Sequence, residues 1–296
     1  MKKKAASNPL EANRQQLIDL LMHKSALKQD IANYTAAPLT QHNNNLSLVH
    51  ADQFYMISNV CPHQNSRIAC KPTQQLKCPY HGLEYSLAGE GIDHDYELET
   101  LSCYTNQTML FDQRVDCVFP VDTQYMQLMQ QREDIVQATP NVIMDVFLDV
   151  EHIPVAHSGV YDSIGITRFD NLKFSFFDQG SLQTIPLQDK QYIHEDDLHY
   201  NISACWMAVY PGTMIEWQPG ALFVTVALPD SKGSRVQVYK YRDIRYSMLD
   251  WSNNSIVWET AWEQDRALAE NIIAPATANI DELKQHHRAW MRRNAM

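Results

Sequence analysis

Four side chains in residues 59–86, NVCPHQNSRIACKPTQQLKCPYHGLEYS, are of the types that hold metals. Cys61 and His63 form a Cys-x-His pair, and Cys78 and His81 a Cys-x-x-His pair, with fourteen residues between them. Each pair is close enough in sequence to sit on one tight loop. Pro62 and Pro79 stiffen the two loops, and Gly82 permits a sharp turn straight after the second histidine. Two thiolates and two imidazoles suit either tetrahedral zinc or a [2Fe–2S] cluster of mixed ligation. Structural zinc loops usually pair like ligands, whereas here each loop offers one Cys and one His. That division suits a cluster in which one iron takes both Cys and the other both His. Neutral imidazoles in place of two thiolates raise the cluster potential by on the order of hundreds of millivolts.

A second group lies in 141–159, NVIMDVFLDVEHIPVAHSG. His152 and His157 are five residues apart, about 140° apart on a regular helix, so an unbroken helix would not point both at one ion. Pro154 lies between them and lacks a backbone donor, which predicts a kink or helix end where the rings converge. Asp149 precedes His152 by three residues and Asp145 by seven. A helix end carrying two satisfied histidines is the bland alternative for this stretch.

The elements around these groups follow from patterning. Residues 8–31 read as a helix: Asn8 at the N-cap, Pro9 at the first position, Glu11 in a capping box, then Leu17, Leu20, Leu21 and Ile31 at helical spacing. Short β-type runs fill 46–118 (NLSLVH, FYMISNV, GLEYSL, TMLF, VDCVF) and predict a small antiparallel domain. The Gln-rich stretch 120–139 reads as a link between domains. Strands are expected at 171–177, 181–186, 202–210, 213–218, 221–228 and 235–242, in one antiparallel sheet, and helix from about 255 to 292 with a break near Pro275. The fold class is therefore α+β. The domains are an N-terminal helical arm at 1–35, a small β-domain carrying the cluster motif at 36–120, and a larger α+β domain at 121–296.

Composition sets limits. The chain has 296 residues, 45% hydrophobic and 20% charged, as in an ordinary soluble protein. A net charge of -11 argues against general nucleic-acid binding, which needs a basic face. MKKK is followed by no apolar segment, and no run approaches a transmembrane length, so a cytoplasmic protein is expected. Six cysteines are too few for a disulfide scaffold; Cys70, Cys103, Cys117 and Cys205 read as small buried thiols.

The motif C-x-H…C-x-x-H, with its CPYHG second half, resembles that of the Rieske non-haem iron oxygenases, the aromatic-ring-hydroxylating and demethylase-type alpha subunits. Gln64 and Asn65 stand where that branch usually has Arg-Gly, Leu83 replaces a common Trp, and the spacer is slightly short. The second stretch resembles the family's mononuclear iron motif, acid-x3-Asp-x2-His-x4-His, matched by Asp145, Asp149, His152 and His157. HIPVAHSGV leans toward the monooxygenase and demethylase-like members.

The resemblance implies a helix-grip catalytic domain and a [2Fe–2S] cluster on Cys61, His63, Cys78 and His81. It implies a mononuclear Fe(II) with open positions, held by His152, His157 and a late acid; of Glu259, Glu263, Asp265 and Glu270 in WETAWEQDRALAENI it selects Asp265, with Glu263 second. Asp149 would then be the carboxylate bridging a cluster His of one subunit, His81 or His63, to His152 of the next, in a homotrimer. Trp206, Met207, Tyr210, Trp217 and Phe223 could line the pocket, or could be ordinary core. The implied activity is hydroxylation or oxidative demethylation of a small organic substrate with O2. No Gly-rich nucleotide loop is present, so a separate NAD(P)H-dependent reductase or ferredoxin is expected. Two other readings remain: a Rieske electron-transfer protein with a non-catalytic second site, and a zinc-stabilised binding module.

Overall fold

The structure is a computed structural model that describes residues 19–20, 36–38, 46–50, 54–68, 75–102, 104–106, 109–111, 114–166, 171–186, 202–272 and 281–294. The chain divides into two compact units, Met1–Arg114 and Val115–Met296.

The first unit is built from short antiparallel strands. They are β1 (Asp19–Leu20), β2 (Ala36–Pro38), β3 (Leu46–His50), β4 (Phe54–Ser58), β5 (Leu76–Lys77), β6 (Glu84–Tyr85), β7 (Gly91–Ile92), β8 (Thr100–Ser102), β9 (Tyr104–Asn106) and β10 (Met109–Phe111). They form three sheets, ordered β2-β3-β4-β8, β5-β6-β7 and β1-β10-β9. Ile57, Ile68, Leu76, Tyr85 and Leu98 pack around the buried Cys61 and Cys78, so this small core is assembled on the two thiols. Two expectations change here. Asp19 and Leu20 pair with Leu110 and Met109 as a strand, inside the stretch whose spacing predicts helix. Cross-strand pairing overrides local propensity there; the rest of 8–31 lies outside the described residues. VDCVF, at 115–119, is irregular rather than a strand.

The second unit is one seven-stranded antiparallel sheet with helices on it. Its strands are β11 (Met126–Val136), β12 (Lys173–Phe177), β13 (Gly180–Pro186), β14 (Ile202–Val209), β15 (Thr213–Gln218), β16 (Ala221–Asp230) and β17 (Gly233–Asp243). The order β11-β17-β16-β15-β14-β13-β12 is a meander from β12 to β17, closed at the far edge by β11. Strand β11 replaces the expected linker. Its polar, Gln-rich residues alternate along an edge strand, where only Met126 and Val136 are fully buried, and ten residue pairs with β17 hold it.

The helices are α1 (Pro140–Phe147), α2 (Ile153–Ala156), α3 (Met248–Asn271) and α4 (Glu282–Arg293). Ser247 and Asp250 form a capping box at the start of α3. Val257, Trp258, Ala261, Trp262, Asp265 and Ala269 recur at three- and four-residue spacing and make its buried face. Trp258 stacks on Phe223 of β16 at 5.2 Å and on Trp262 at 6.0 Å. Burial of each of these rings contributes on the order of 3 kcal/mol. Across the sheet, Gln183, Trp206, Glu216, Phe223 and Lys240 oppose one another in register on consecutive strands. Directly opposed residues share a face, so α3 lies over a row that mixes aromatic and ionisable side chains. Buried Lys240 is satisfied by Glu259 and by Ser255, and Glu259 also takes a two-pronged contact from Arg132.

Candidate functional site

In the first unit, the two ligand loops have the same backbone plan. The N–H of Asn65 donates to the Cys61 carbonyl at 2.8 Å, and that of Gly82 to the Cys78 carbonyl at 2.9 Å. Each Cys N–H in turn donates to a carbonyl five residues on, Ser66 or Leu83. Asn65 and Gly82 both take positive φ, 54° and 73°. Asparagine tolerates the left-handed region better than other side-chain-bearing residues, so Asn65 performs the turn that Gly82 performs in the partner loop. The missing glycine in the first loop is thereby accounted for. The loops bring His63 Nδ1 and His81 Nδ1 to 3.0 Å on an exposed edge, while both thiols are buried beneath. Tyr85 donates its hydroxyl to Cys61 Sγ at 3.1 Å; burial first, then this thiol, push the phenol well above its ordinary range. His94 donates from Nε2 to the Glu84 carbonyl at 2.9 Å, and its ring meets Tyr85 edge-on.

In the second unit, the chain leaves α1 at Leu148 and turns at Asp149, with φ -86° and ψ 87°. The break precedes His152. Pro154 is not the kink: it stands in the first turn of α2, where a missing N–H is harmless. His152 and His157 therefore flank a separate short helix, and their Nε2 atoms meet at 3.0 Å. Oδ1 of Asp265 lies 3.0 Å from the first and 2.9 Å from the second.

The tautomers follow from the other nitrogens. His157 Nδ1 donates to Gln264 Oε1 at 2.7 Å, and His152 Nδ1 to the backbone carbonyl of Asp149. Both Nε2 lone pairs then face each other and a carboxylate oxygen, an arrangement that calls for a cation. Burial lowers the affinity of His157 for a proton, but Asp265 and Gln264 outweigh this and raise its pKa. The two histidines likewise hold Asp265 below its ordinary value against the effect of burial.

Among the four acids weighed for the third ligand, only Asp265 joins the histidines. Glu259 pairs with Lys240 and Arg132, Glu270 pairs with Arg266, and Glu263 is exposed. Asp149 reaches His152 through its carbonyl; its carboxylate contacts Lys284 of α4. Asp145 contacts Arg288 and lies 3.9 Å from His287; burial works against ionisation, but these partners lower its pKa. Beside the triad is a small chamber of about 30 Å³ lined by Phe147, Tyr161, Gln183, Trp206, Met214 and Glu216, among others. Of the aromatic residues singled out from the strands, Trp206 lines it.

Residues 21–105 match the family described as Rieske [2Fe–2S] domain. The chain carries a Rieske [2Fe–2S] domain. Its beginning at residue 21 falls inside the expected helical arm.

Solved Rieske monooxygenases share the fold of most of the chain. A quaternary ammonium Rieske monooxygenase, CntA, in complex with an inhibitor, is 16% identical over 84% of this chain and 81% of that one, with a TM-score of 0.59. A structure of a quaternary ammonium Rieske monooxygenase described as giving insight into carnitine oxidation by gut microbiota and inter-subunit electron transfer is 17% identical over 84% and 80%, with a TM-score of 0.56. NdmA of Pseudomonas putida CBB5 with caffeine is 13% identical over 98% and 91%, with a TM-score of 0.53. At such identities the likeness establishes the fold. Among curated proteins, none matches the sequence. No helix among the described residues is long and apolar enough to cross a membrane.

The donor sets fit the groups such a domain pairing implies. Two buried thiols, and a half-buried His63 facing an exposed His81, suit the two unlike ends of a Rieske cluster. In the second unit, the His152, His157 and Asp265 atoms form a triangle with edges near 3 Å. That is the size of an octahedral face whose centre lies about 2.1 Å from each corner, the facial two-His-one-carboxylate arrangement of non-haem Fe(II).

Four polar residues are among those of the site not expected from the sequence. Gln264 orients His157, Lys284 holds Asp149, and Gln183 and Glu216 line the chamber. Of these four, Glu216 carried a signal, as an acid between the apolar residues Ile215 and Trp217 inside the strand TMIEWQ.

Proposed function

We propose that the chain is the terminal component of an oxygenase that hydroxylates or oxidatively demethylates a small organic substrate. In this reading His152, His157 and Asp265 hold a mononuclear Fe(II), and Cys61, His63, Cys78 and His81 hold the Rieske cluster. When bound, these groups supply O2 activation at the iron and one-electron delivery from the cluster. The observation that carries the reading is the triangle of His152, His157 and Asp265 in a chain that also has a Rieske domain.

The chain's own residues prepare the site. Gln264 and the Asp149 carbonyl fix the imidazole tautomers, so both Nε2 atoms are free to ligate. Asp265, kept ionised by its neighbours, supplies the negative charge a divalent ion requires. Phe147, Tyr161, Trp206 and Met214 give the chamber beside the ligand triangle a largely apolar lining. The Asp149 carboxylate, positioned by Lys284, is proposed as the link toward a cluster histidine of a neighbouring chain in a homotrimer. Electrons would come from a separate NAD(P)H-dependent reductase or ferredoxin, in the cytoplasm. The domains are proposed as an N-terminal arm at 1–35, in which Asp19–Leu20 is a strand rather than helix, the Rieske domain at 36–120 and the catalytic domain at 121–296.

The test is oxygen uptake by the metal-loaded protein with a surrogate reductase, against aromatic, N-methyl and terpenoid compounds. Uptake that rises with one compound and yields its oxidised product is expected. Cluster reduction with no substrate-dependent uptake across the panel would return the chain to the electron carriers.

A further inference from the structure

Two glutamates of the second unit, Glu259 and Glu216, have contrasting surroundings. Glu259 faces two cations, Lys240 and Arg132. Glu216 lies deeper, at 6% exposure, and among the described residues accepts from two indole N–H groups, Trp258 Nε1 at 3.0 Å and Trp206 Nε1 at 3.1 Å. Burying a carboxylate without a partner charge costs several kcal/mol. Among the described residues that line the chamber there is no lysine or arginine. Asp265 and His157 face Glu216 from the triad, and Asp265 already belongs to the ion's own ligands. Burial, set against the two indoles, pushes Glu216 up to about 7. A carboxylate has about four lone-pair positions and the indoles use two.

Gln183 stands one strand beyond Trp206 in the same row. It is 2% exposed, lines the chamber, and its Nε2 has no hydrogen-bond partner among the described residues. An unpaired buried amide costs about 1–3 kcal/mol, which a ligand oxygen would recover. Trp206, Tyr161 and Phe147 also line the chamber, and aromatic rings attract a positive charge over their faces.

We propose that Glu216 and Gln183 are specificity-determining residues, and that the chamber takes a protonated amine carrying an oxygen acceptor. The ammonium N–H donates to the free lone pairs of Glu216, and the oxygen accepts from Gln183 Nε2. This rests on the oxygenase reading for what happens to the ligand, but not for its binding. About 30 Å³ is free among the described residues, room for about one or two waters, so the lining side chains must give way as the head group enters.

The probes are N,N-dimethylethanolamine and its neutral isostere, isoamyl alcohol, titrated calorimetrically into the metal-loaded protein without O2. Their hydroxyl is common and only the charge differs. The native protein is expected to bind the amine about tenfold more tightly, near 1.4 kcal/mol. Glu216→Gln is expected to reduce that preference to within about twofold, with the visible cluster spectrum unchanged. Gln183→Leu is expected to weaken both probes alike. Equal or tighter binding of the alcohol to the native protein would overturn the proposal, as would a preference that survives in Glu216→Gln. The native comparison stands alone if Glu216→Gln does not fold. Iron content measured on the same samples reports separately on the oxygenase reading, which can fail while the charge preference remains.

Discussion

His152 Nε2 and His157 Nε2 lie 3.0 Å apart, although the two residues flank a separate short helix. Asp265, more than a hundred residues on, places one oxygen within 3.0 Å of both. The account makes this oxygen a ligand. Asp265→Ala should abolish substrate-dependent oxygen uptake while leaving the cluster's visible spectrum intact. Full retained turnover would show that the third ligand lies elsewhere.

Gln264 acts through His157, whose Nδ1 proton it accepts at 2.7 Å. Loss of such an orienting partner typically weakens metal binding about 10–100-fold. Gln264→Leu should show that loss when iron is titrated against a chelator, and Gln264→Glu, which keeps an acceptor, should restore most of it. Equal affinities in all three proteins would make Gln264 a bystander.

The two contacts of Asp149 separate structure from turnover. Its backbone carbonyl orients His152, and no substitution of the side chain removes that carbonyl. Asp149→Ala should keep the full iron content yet slow turnover about 100-fold or more, if the carboxylate links the centres. Unchanged turnover would remove Asp149 from the electron path.

Asn65 makes its turn at φ 54°. Asn65→Gly should keep the cluster and the melting temperature. Asn65→Val, forced into the same region, should cost about 1–3 kcal/mol and lower cluster occupancy, read from absorbance per chain. Indifference to valine would mean that the loop rearranges freely.

Glu259 is ionised more readily in the fold than its ordinary value of 4.5, because Lys240 and Arg132 outweigh the effect of burial. A depressed carboxylate stabilises the fold above its unfolded pKa and loses that contribution as pH falls through the lower folded value. At pH 7, Glu259→Gln should cost about 2 kcal/mol, discounted because the side chain is about one-third exposed and its partners are partly solvated. The difference should shrink below pH 4.5, as seen by denaturant unfolding at several pH values. Parallel pH profiles would contradict the pairing.

The two ligand motifs were readable because each packs its metal-binding types within a few residues. The sheet was readable from alternating apolar runs separated by turns. Asp265 was readable in a second way: it sits on the buried stripe of α3, between Trp262 and Ala269, where an acid is out of place unless it has a partner. Strand β11 was hidden because an edge strand with one solvated side looks like a polar linker. The break at Leu148–Asp149 was assigned to Pro154, since proline is the visible breaker and a turn set by tertiary packing leaves no local mark. Gln264, Lys284 and Gln183 could not be picked out, because a polar side chain on a helix or strand is usually solvated and only packing shows which one turns inward.

The central claim is a third iron, distinct from the cluster pair. Iron analysis of freshly loaded, colour-saturated protein tests it most directly. The account predicts about three iron atoms per chain in the native protein and about two in the Asp265→Ala variant. A native value of two, with the cluster spectrum complete, would contradict it.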